Sequence, residues 1–304
     1  MRFISSAAVT LLACALSSGA QQQPIRTGDI TVRGLKASDF PRMTKLTDYV
    51  YAYEQIDPTK RVVTANNLIV ITDEGVLVAE GQGTVDNVRR LVADIATLTP
   101  QAIKYVVVGS EHPDHIGGDS AFPDGVTFLV HPSSKAVVEK RIGRTVETVA
   151  GDRRVIRMGG IEIDVLFLGR AHTGGDLEVY LPRGKVLFMS EVFLNRIFPS
   201  MANGFPTEWL ETLKRAEQMD VDVFVPAHGF VDSAPVLKEE MRNYRMAIER
   251  VMSEGRRLHD AQVPVDVAAD RADFGAYIDW TRRSENAAGA LKRVYMQLDG
   301  QIRE

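Results

Sequence analysis

The chain has 304 residues, 45% hydrophobic and 25% charged, which is an ordinary globular balance. Its 36 basic and 40 acidic residues give a net charge of −4. With no basic surplus to neutralise a phosphate backbone, nucleic acid is excluded as an expected partner. One cysteine and six histidines exclude an internal disulfide, a cysteine-rich zinc site and a CxxC redox pair, so any metal chemistry must rest on histidine and carboxylate.

Residues 1–20 read as a secretory signal peptide. Arg2 gives a short positive end, residues 3–16 are mostly apolar and uncharged, and Ser18-Gly19-Ala20 is a small-residue cleavage pattern followed by Gln21. Its removal takes away Arg2 alone and leaves a charge of −5. The expected location is the periplasm or the secreted fraction. Cys14 is read as a small apolar residue of the signal. The alternative is lipidation, because Leu11-Leu12-Ala13-Cys14 resembles a lipobox, and only then would the chain be membrane-attached. No other run reaches the ~20 apolar residues needed to span a bilayer.

Residues 21–45 are polar and read as a poorly fixed lead-in; residues 46–304 read as one domain. Two apolar runs, 67–72 and 75–79, flank the turn at Asp73-Glu74-Gly75 and predict a hairpin. A helix begins at Thr84, with Val88, Leu91, Val92, Ile95 and Leu98 on one face, and stops at Pro100. Strands are expected at 104–109, 126–130, 161–168, 177–181, 185–189 and 221–225, and a short helix at 133–141. Thr207 is the expected cap of a helix that turns Trp209, Leu213 and Ala216 inward. A long helix over 236–258 carries Leu237, Met241, Tyr244, Ile248 and Val251 on one stripe, and a final helix spans 287–298.

The polar residues that interrupt this pattern fall where apolar strands end. Gly109-Ser-Glu-His112-Pro-Asp114-His115-Ile-Gly-Gly118 follows a buried strand, and two histidines and an aspartate within four residues suit zinc. Gly117-Gly118 is expected to let the chain turn sharply beside them. Three further polar positions follow strands: His172 in Arg170-Ala-His-Thr-Gly-Gly-Asp176, Glu191 in Phe188-Met-Ser-Glu, and His228 in Val225-Pro-Ala-His-Gly229. A lone HxxH is weak evidence; four separated clusters in matching context are strong. His131 is assigned a turn or hydrogen-bonding role and His259 a surface role.

This series, SEHPDHIGG, AHTGGD, FMSE and VPAHG in that order over about residues 67–228, resembles the metallo-β-lactamase superfamily. The resemblance implies an α/β fold, a four-layer αββα sandwich. It implies one metal on His112, His172 and a third position that falls here on Ser110, a poor zinc ligand. It implies a second metal on Asp114, His115 and His228. The slot of the bridging aspartate holds Glu191. The second half is therefore complete and the first is one ligand short. Either Glu191 or Glu111 completes it, or only the second fills tightly. Ser110 is assigned loop hydrogen bonding, and Glu111 is expected to point away because neighbours at a strand end alternate. Thr173 and Asp176 are expected to support His172, and Glu80 to stand behind the site.

The implied activity is metal-dependent hydrolysis of a carbonyl-type small molecule (an ester, thioester, lactone or lactam), with Asp114 as the catalytic residue. The cofactor is one or two zinc ions, with iron or manganese as alternatives. A β-lactamase is one option within that class. The subgroup that uses a cysteine ligand is excluded, since Cys14 belongs to the export segment. The competing expectation is a non-hydrolytic metal-binding accessory protein or an iron redox protein. No protein partner is implied.

Overall fold

The computed structural model describes residues 24–302; the stretch expected to be a signal peptide, with Cys14, lies outside the described residues. One sheet has seven strands in chain order: β1 (Arg42–Lys45), β2 (Val50–Ile56), β3 (Thr64–Ile71), β4 (Val76–Ala79), β5 (Ile103–Val107), β6 (Thr127–Val130) and β7 (Glu147–Thr148). The second contains β8 (Arg153–Met158), β9 (Ile161–Leu166), β10 (Glu178–Leu181), β11 (Val186–Phe188) and β12 (Val223–Val225), lying in the order β12-β11-β10-β9-β8. The helices are α1 (Val85–Leu98), α2 (Pro113–Ile116), α3 (Lys135–Ile142), α4 (Pro206–Gln218), α5 (Ala234–Asp260), α6 (Ala268–Arg271) and α7 (Arg283–Leu298).

Strand alternation builds the layers. In β4, Leu77 and Ala79 face the second sheet, while Val76 and Val78 face α1. Val88, Leu91 and Ile95 of α1 and Val138 and Ile142 of α3 cover that outer face. Leu237, Met241, Tyr244, Ile248 and Val251 of α5 join Trp209 and Leu213 of α4 and Leu291 of α7 in the core on the other side. The result is the αββα sandwich that the resemblance implies.

β3 and β4 form the expected antiparallel hairpin. The α1 crossover then makes β5 parallel to β4, and β6 and β7 continue parallel. Thr84 caps α1 by accepting the Asn87 N–H at 3.2 Å.

Several expectations change. The lead-in is fixed: Ile30 donates its N–H to Val62 O at 2.9 Å, Arg33 pairs with Asp232 at 2.8 Å and stacks over Phe230, and residues 42–45 form edge strand β1. β7 and β8 are additional strands. β8 reads Arg-Arg-Val-Ile-Arg-Met, a charged edge strand whose backbone pairing, not its hydrophobicity, defines it. Leu98 is exposed at the end of α1. Thr207 lies inside the first turn of α4; the helix starts at Pro206, whose missing N–H costs nothing at that position. Gly117 and Gly118 adopt ordinary right-handed backbone, so they are not there for a sharp turn. A Cβ at Gly117 would come within 2.3 Å of Gly83 O, and one at Gly118 within 2.0 Å of Thr84 O. Close backbone approach demands both glycines.

Candidate metal centre

The loops leaving β5, β9, β11 and β12 converge on one edge of the sandwich and deliver every metal-ligand candidate named above. His112 precedes α2, with Asp114 and His115 inside it. His172 stands between β9 and β10, Glu191 in the turn after β11, and His228 after β12. His228 is sewn between the sheets: its backbone pairs with Ala65 of β3 and with Leu194, and Asn195 N donates to His228 O at 2.9 Å. The His172 loop is tied to the exit of β5 by Leu177 N donating to Gly109 O at 3.0 Å.

The donor atoms form two groups joined by one carboxylate. Glu191 Oε2 lies 2.6 Å from His112 Nδ1 and 3.3 Å from His172 Nε2, and those two nitrogens are 3.1 Å apart. Glu191 Oε1 lies 3.5 Å from both His115 Nε2 and His228 Nε2, which are 3.1 Å apart, and Asp114 Oδ2 is 3.3 Å from His228 Nε2. Within each group the ligand atoms lie within 4.8 Å of one another. Imidazole nitrogens aimed at one space together with carboxylate oxygens form two donor sets that could each hold a metal ion. The longer reach of glutamate lets Glu191 serve both groups.

The supporting contacts explain this aim. His228 Nδ1 faces Thr64 O at 2.6 Å, so the Nδ1–H donates there and Nε2 is left free to bind. Behind His115, Glu80 Oε2 stands 3.5 Å from Nδ1, and Ser190 Oγ donates to Glu80 Oε1. Glu80 and Ser190 both hold left-handed backbone, φ 67° and 46°, a strain typical of residues fixed for function. Ser110 Oγ donates to Glu191 Oε2 at 2.6 Å and accepts the His112 N–H at 3.3 Å, so this serine orients the carboxylate. Glu111 points away and accepts a hydrogen bond from Ser134 Oγ. Glu191, not Glu111, completes the first group.

Thr173 and Asp176 differ from expectation. Asp176 accepts from Thr173 N at 2.7 Å and from Thr173 Oγ1 at 2.9 Å, so the pair braces the loop, while His172 Nδ1 has no hydrogen-bond partner among the described residues. His172 is instead held by packing, with its ring edge-on to Trp209 at 5.3 Å. Trp209 Nε1 in turn donates to Val192 O at 2.9 Å, beside Glu191. His131 stacks on Phe167 and faces Ser133 Oγ at 2.7 Å. His259 faces Asp299 at 2.9 Å, away from the site.

Charge is tightly balanced. Burial alone would raise the Glu191 carboxyl, but His172, His115 and His112 outweigh it and hold it well below the usual range. Burial opposes a charge on His115, yet Glu80, Glu191 and Asp114 push it up to about 10. Burial takes His172 down to about 4, and burial raises Glu80 to about 7.

Lys60, in the loop between β2 and β3, carries no sequence signal beyond a turn, yet it reaches the site. Its Nζ donates to Asp114 Oδ2 and lies 3.4 Å from His228 Nε2 and 3.2 Å from Asp57 Oδ2. Burial opposes its charge, but Asp114, Glu191 and Asp57 outweigh that and raise its pKa.

A cleft of about 90 Å³ opens over Lys60, His172, Glu191 and His228. Val63, Leu194 and Ile197 form its apolar wall, and Arg282 and Asn286 reach it from the start of α7.

The sequence pattern of the metallo-beta-lactamase superfamily matches residues 68–228, more than half of the chain. The chain belongs to the metallo-beta-lactamase superfamily. Members of this superfamily are mostly hydrolytic enzymes that bind metal ions, and metal-dependent hydrolysis is the coarse activity that membership supports. Among curated relatives, the chain is 26% identical over 129 residues to the 2,4-dinitroanisole O-demethylase subunit alpha of Nocardioides sp. (strain JS1661), covering 40% of this chain and 39% of that protein. It is 20% identical over 183 residues to a metallo-beta-lactamase type 2 of Bacillus sp. (strain 170), covering 58% of this chain and 70% of the other. Among solved structures, a metallo-beta-lactamase from Pontibacter korlensis superposes with a TM-score of 0.60 at 23% identity, covering 68% of this chain and 99% of that one. A stereoselective inverting sec-alkylsulfatase from Pseudomonas sp. gives 0.68 at 15% identity, covering 85% and 50%. These structural likenesses establish the fold. Lys60, Arg282 and Asn286 lie outside the matched region.

Proposed function

We propose that the protein is an exported, zinc-dependent hydrolase acting on a small carbonyl-type substrate: an ester, thioester, lactone or lactam. The observation that carries this reading is the pair of donor groups sharing Glu191 at the floor of an open cleft. A zinc ion, when bound, supplies hydroxide at neutral pH and polarises the electrophile. The first group, His112, His172 and Glu191, would hold one ion; Asp114, His115, His228 and Glu191 offer a second set.

The chain's own residues do the rest. Asp114 Oδ2 stands between His228 and Lys60, two residues of the cleft lining, where it orients the attacking water and passes its proton toward the leaving group. The apolar wall of Val63, Leu194 and Ile197 keeps water from the reacting carbonyl and strengthens each electrostatic contact beneath it. Ser110 and Glu80 hold Glu191 and His115 from behind.

The relatives are named for different bonds: an aryl ether in the demethylase, a lactam in the lactamases, a sulfate ester in the alkylsulfatase. The test is therefore a panel of zinc-loaded assays with chelator controls: a chromogenic cephalosporin, a glutathione thioester, a lactone, an aryl ester, an aryl sulfate and a phosphodiester. Chelator-sensitive turnover of a carbonyl member is expected; turnover of the sulfate or phosphodiester alone overturns the substrate class. A second reading is favoured by the first group itself, because two imidazoles and one carboxylate also suit iron. Iron, not zinc, in protein purified without added metal would move the assignment to redox chemistry.

A further inference from the structure

We propose that Lys60 is a built-in cation that stands in for the second metal ion, so that the protein holds one ion tightly, on His112, His172 and Glu191. This rests on the metal-site reading above and deepens it. In the group of Asp114, His115 and His228, two of the three residues are already engaged by the lysine: Nζ donates to Asp114 Oδ2 and lies 3.4 Å from His228 Nε2. In the group of His112 and His172, no lysine or arginine contacts a donor atom among the described residues; the hydroxyl of Ser110 is there instead. One carboxylate oxygen of Glu191 serves each group.

The loop that carries Lys60 is constructed to aim it. Asp57 is fully buried, and its Oδ1 accepts the backbone N–H groups of Thr59 at 2.7 Å and Lys60 at 3.0 Å and the Thr59 hydroxyl at 2.7 Å. Its other oxygen faces Lys60 Nζ at 3.2 Å. Asp57 N donates to Val63 O at 3.0 Å, and Arg61 takes left-handed backbone at φ 50° to close the loop. A lysine that only sampled solvent would not need a buried aspartate bonded to its own backbone and paired with its ammonium. The ammonium also supplies what a second ion would: it neutralises Asp114 and places positive charge at the cleft floor. A divalent ion entering the same group must displace it or bear its repulsion.

The experiment is metal stoichiometry, which needs no turnover. Wild type, Lys60→Met and Lys60→Arg are loaded with zinc, dialysed exhaustively against metal-free buffer and analysed for zinc per chain, and affinities are measured by titration calorimetry. Wild type and Lys60→Arg are expected to retain one ion and Lys60→Met two, with the second ion's affinity rising by about tenfold or more. His172→Ala is expected to lose the retained ion and His115→Ala to keep it, with circular dichroism verifying that each variant is folded. Two retained ions in wild type, one in both wild type and Lys60→Met, or loss of the retained ion in His115→Ala but not His172→Ala would each overturn the proposal. One retained ion without hydrolysis of any panel substrate would instead sink the hydrolase reading and leave this one standing.

Discussion

The two donor groups at the cleft floor share a carboxylate and little else. The group around His115 and His228 is buried and brings together Asp114, His115, His228 and Glu191. It is backed by Thr64 O and Glu80, and a lysine already lies in it. The group around His112 and His172 has Ser110 beside its carboxylate, includes a partly exposed histidine in His112, and rests on ring packing against Trp209. The group that looks complete from its residue types is the one with a resident cation, and the group that looks deficient is open. Counting ligands does not measure a site's affinity; what else shares the space does.

The comparison can be broken most forcefully at the shared residue. In the Lys60→Met background, where both groups are expected to take an ion, Glu191→Ala should weaken metal binding at both by more than about 100-fold, because losing supporting residues alone costs 10–100-fold. Calorimetry with zinc checks this, and an effect confined to one group would show that Glu191 does not bridge. Next, Asp114→Asn, which removes the group that handles the proton, and His228→Ala, which removes a donor beside it, should each lower kcat/KM by about 10²–10⁴ while thermal unfolding shows a folded protein. Retained activity in both variants would remove the Asp114 group from the chemistry.

Ser110→Ala should separate the halves. It deletes the hydroxyl that donates to Glu191 Oε2 and should cost about 10-fold in affinity at the His112 group, while in the Lys60→Met background the affinity of the His115 group stays unchanged. Trp209→Phe removes the hydrogen bond to Val192 O and leaves a buried acceptor, so stability should fall by about 1–3 kcal/mol in denaturant unfolding.

The smallest effect lies outside both groups. Burial raises Glu178 well above the usual carboxylate range; it accepts Leu168 N–H at 3.2 Å, and its Oε1 has no partner among the described residues. Its folded pKa exceeds its unfolded one, so its contribution is fully present below the unfolded pKa and is lost as pH rises toward the folded value. Compared at pH 5 and pH 8, wild type should lose stability with rising pH relative to Glu178→Gln. Parallel melting curves at both pH values would refute this.

Elements with strong periodicity were legible. The hairpin of β3 and β4, helix α1 and the α5 stripe follow from apolar spacing alone, because burial on one face is what shapes them. β1 and β8 were not legible, since edge strands need backbone pairing and little hydrophobicity. Nor were the helix start at Pro206 or the reason for Gly117-Gly118, because both depend on which backbone lies opposite.

The same division holds for the site. Residue type and placement at strand ends were enough to mark His112, Asp114, His115, His172, Glu191 and His228, because metal donors are few in kind and must leave rigid strands. Only the tertiary structure decided that Glu191 and not Glu111 joins the first group, that Ser110 holds Glu191, and that Asp176 braces Thr173 and does not reach His172. It alone brought Lys60, 54 residues before Asp114 in the chain, onto that carboxylate. A motif records which donors a loop can offer. Which of them share a cation, and with what competitor, is set by distances between loops from two sheets.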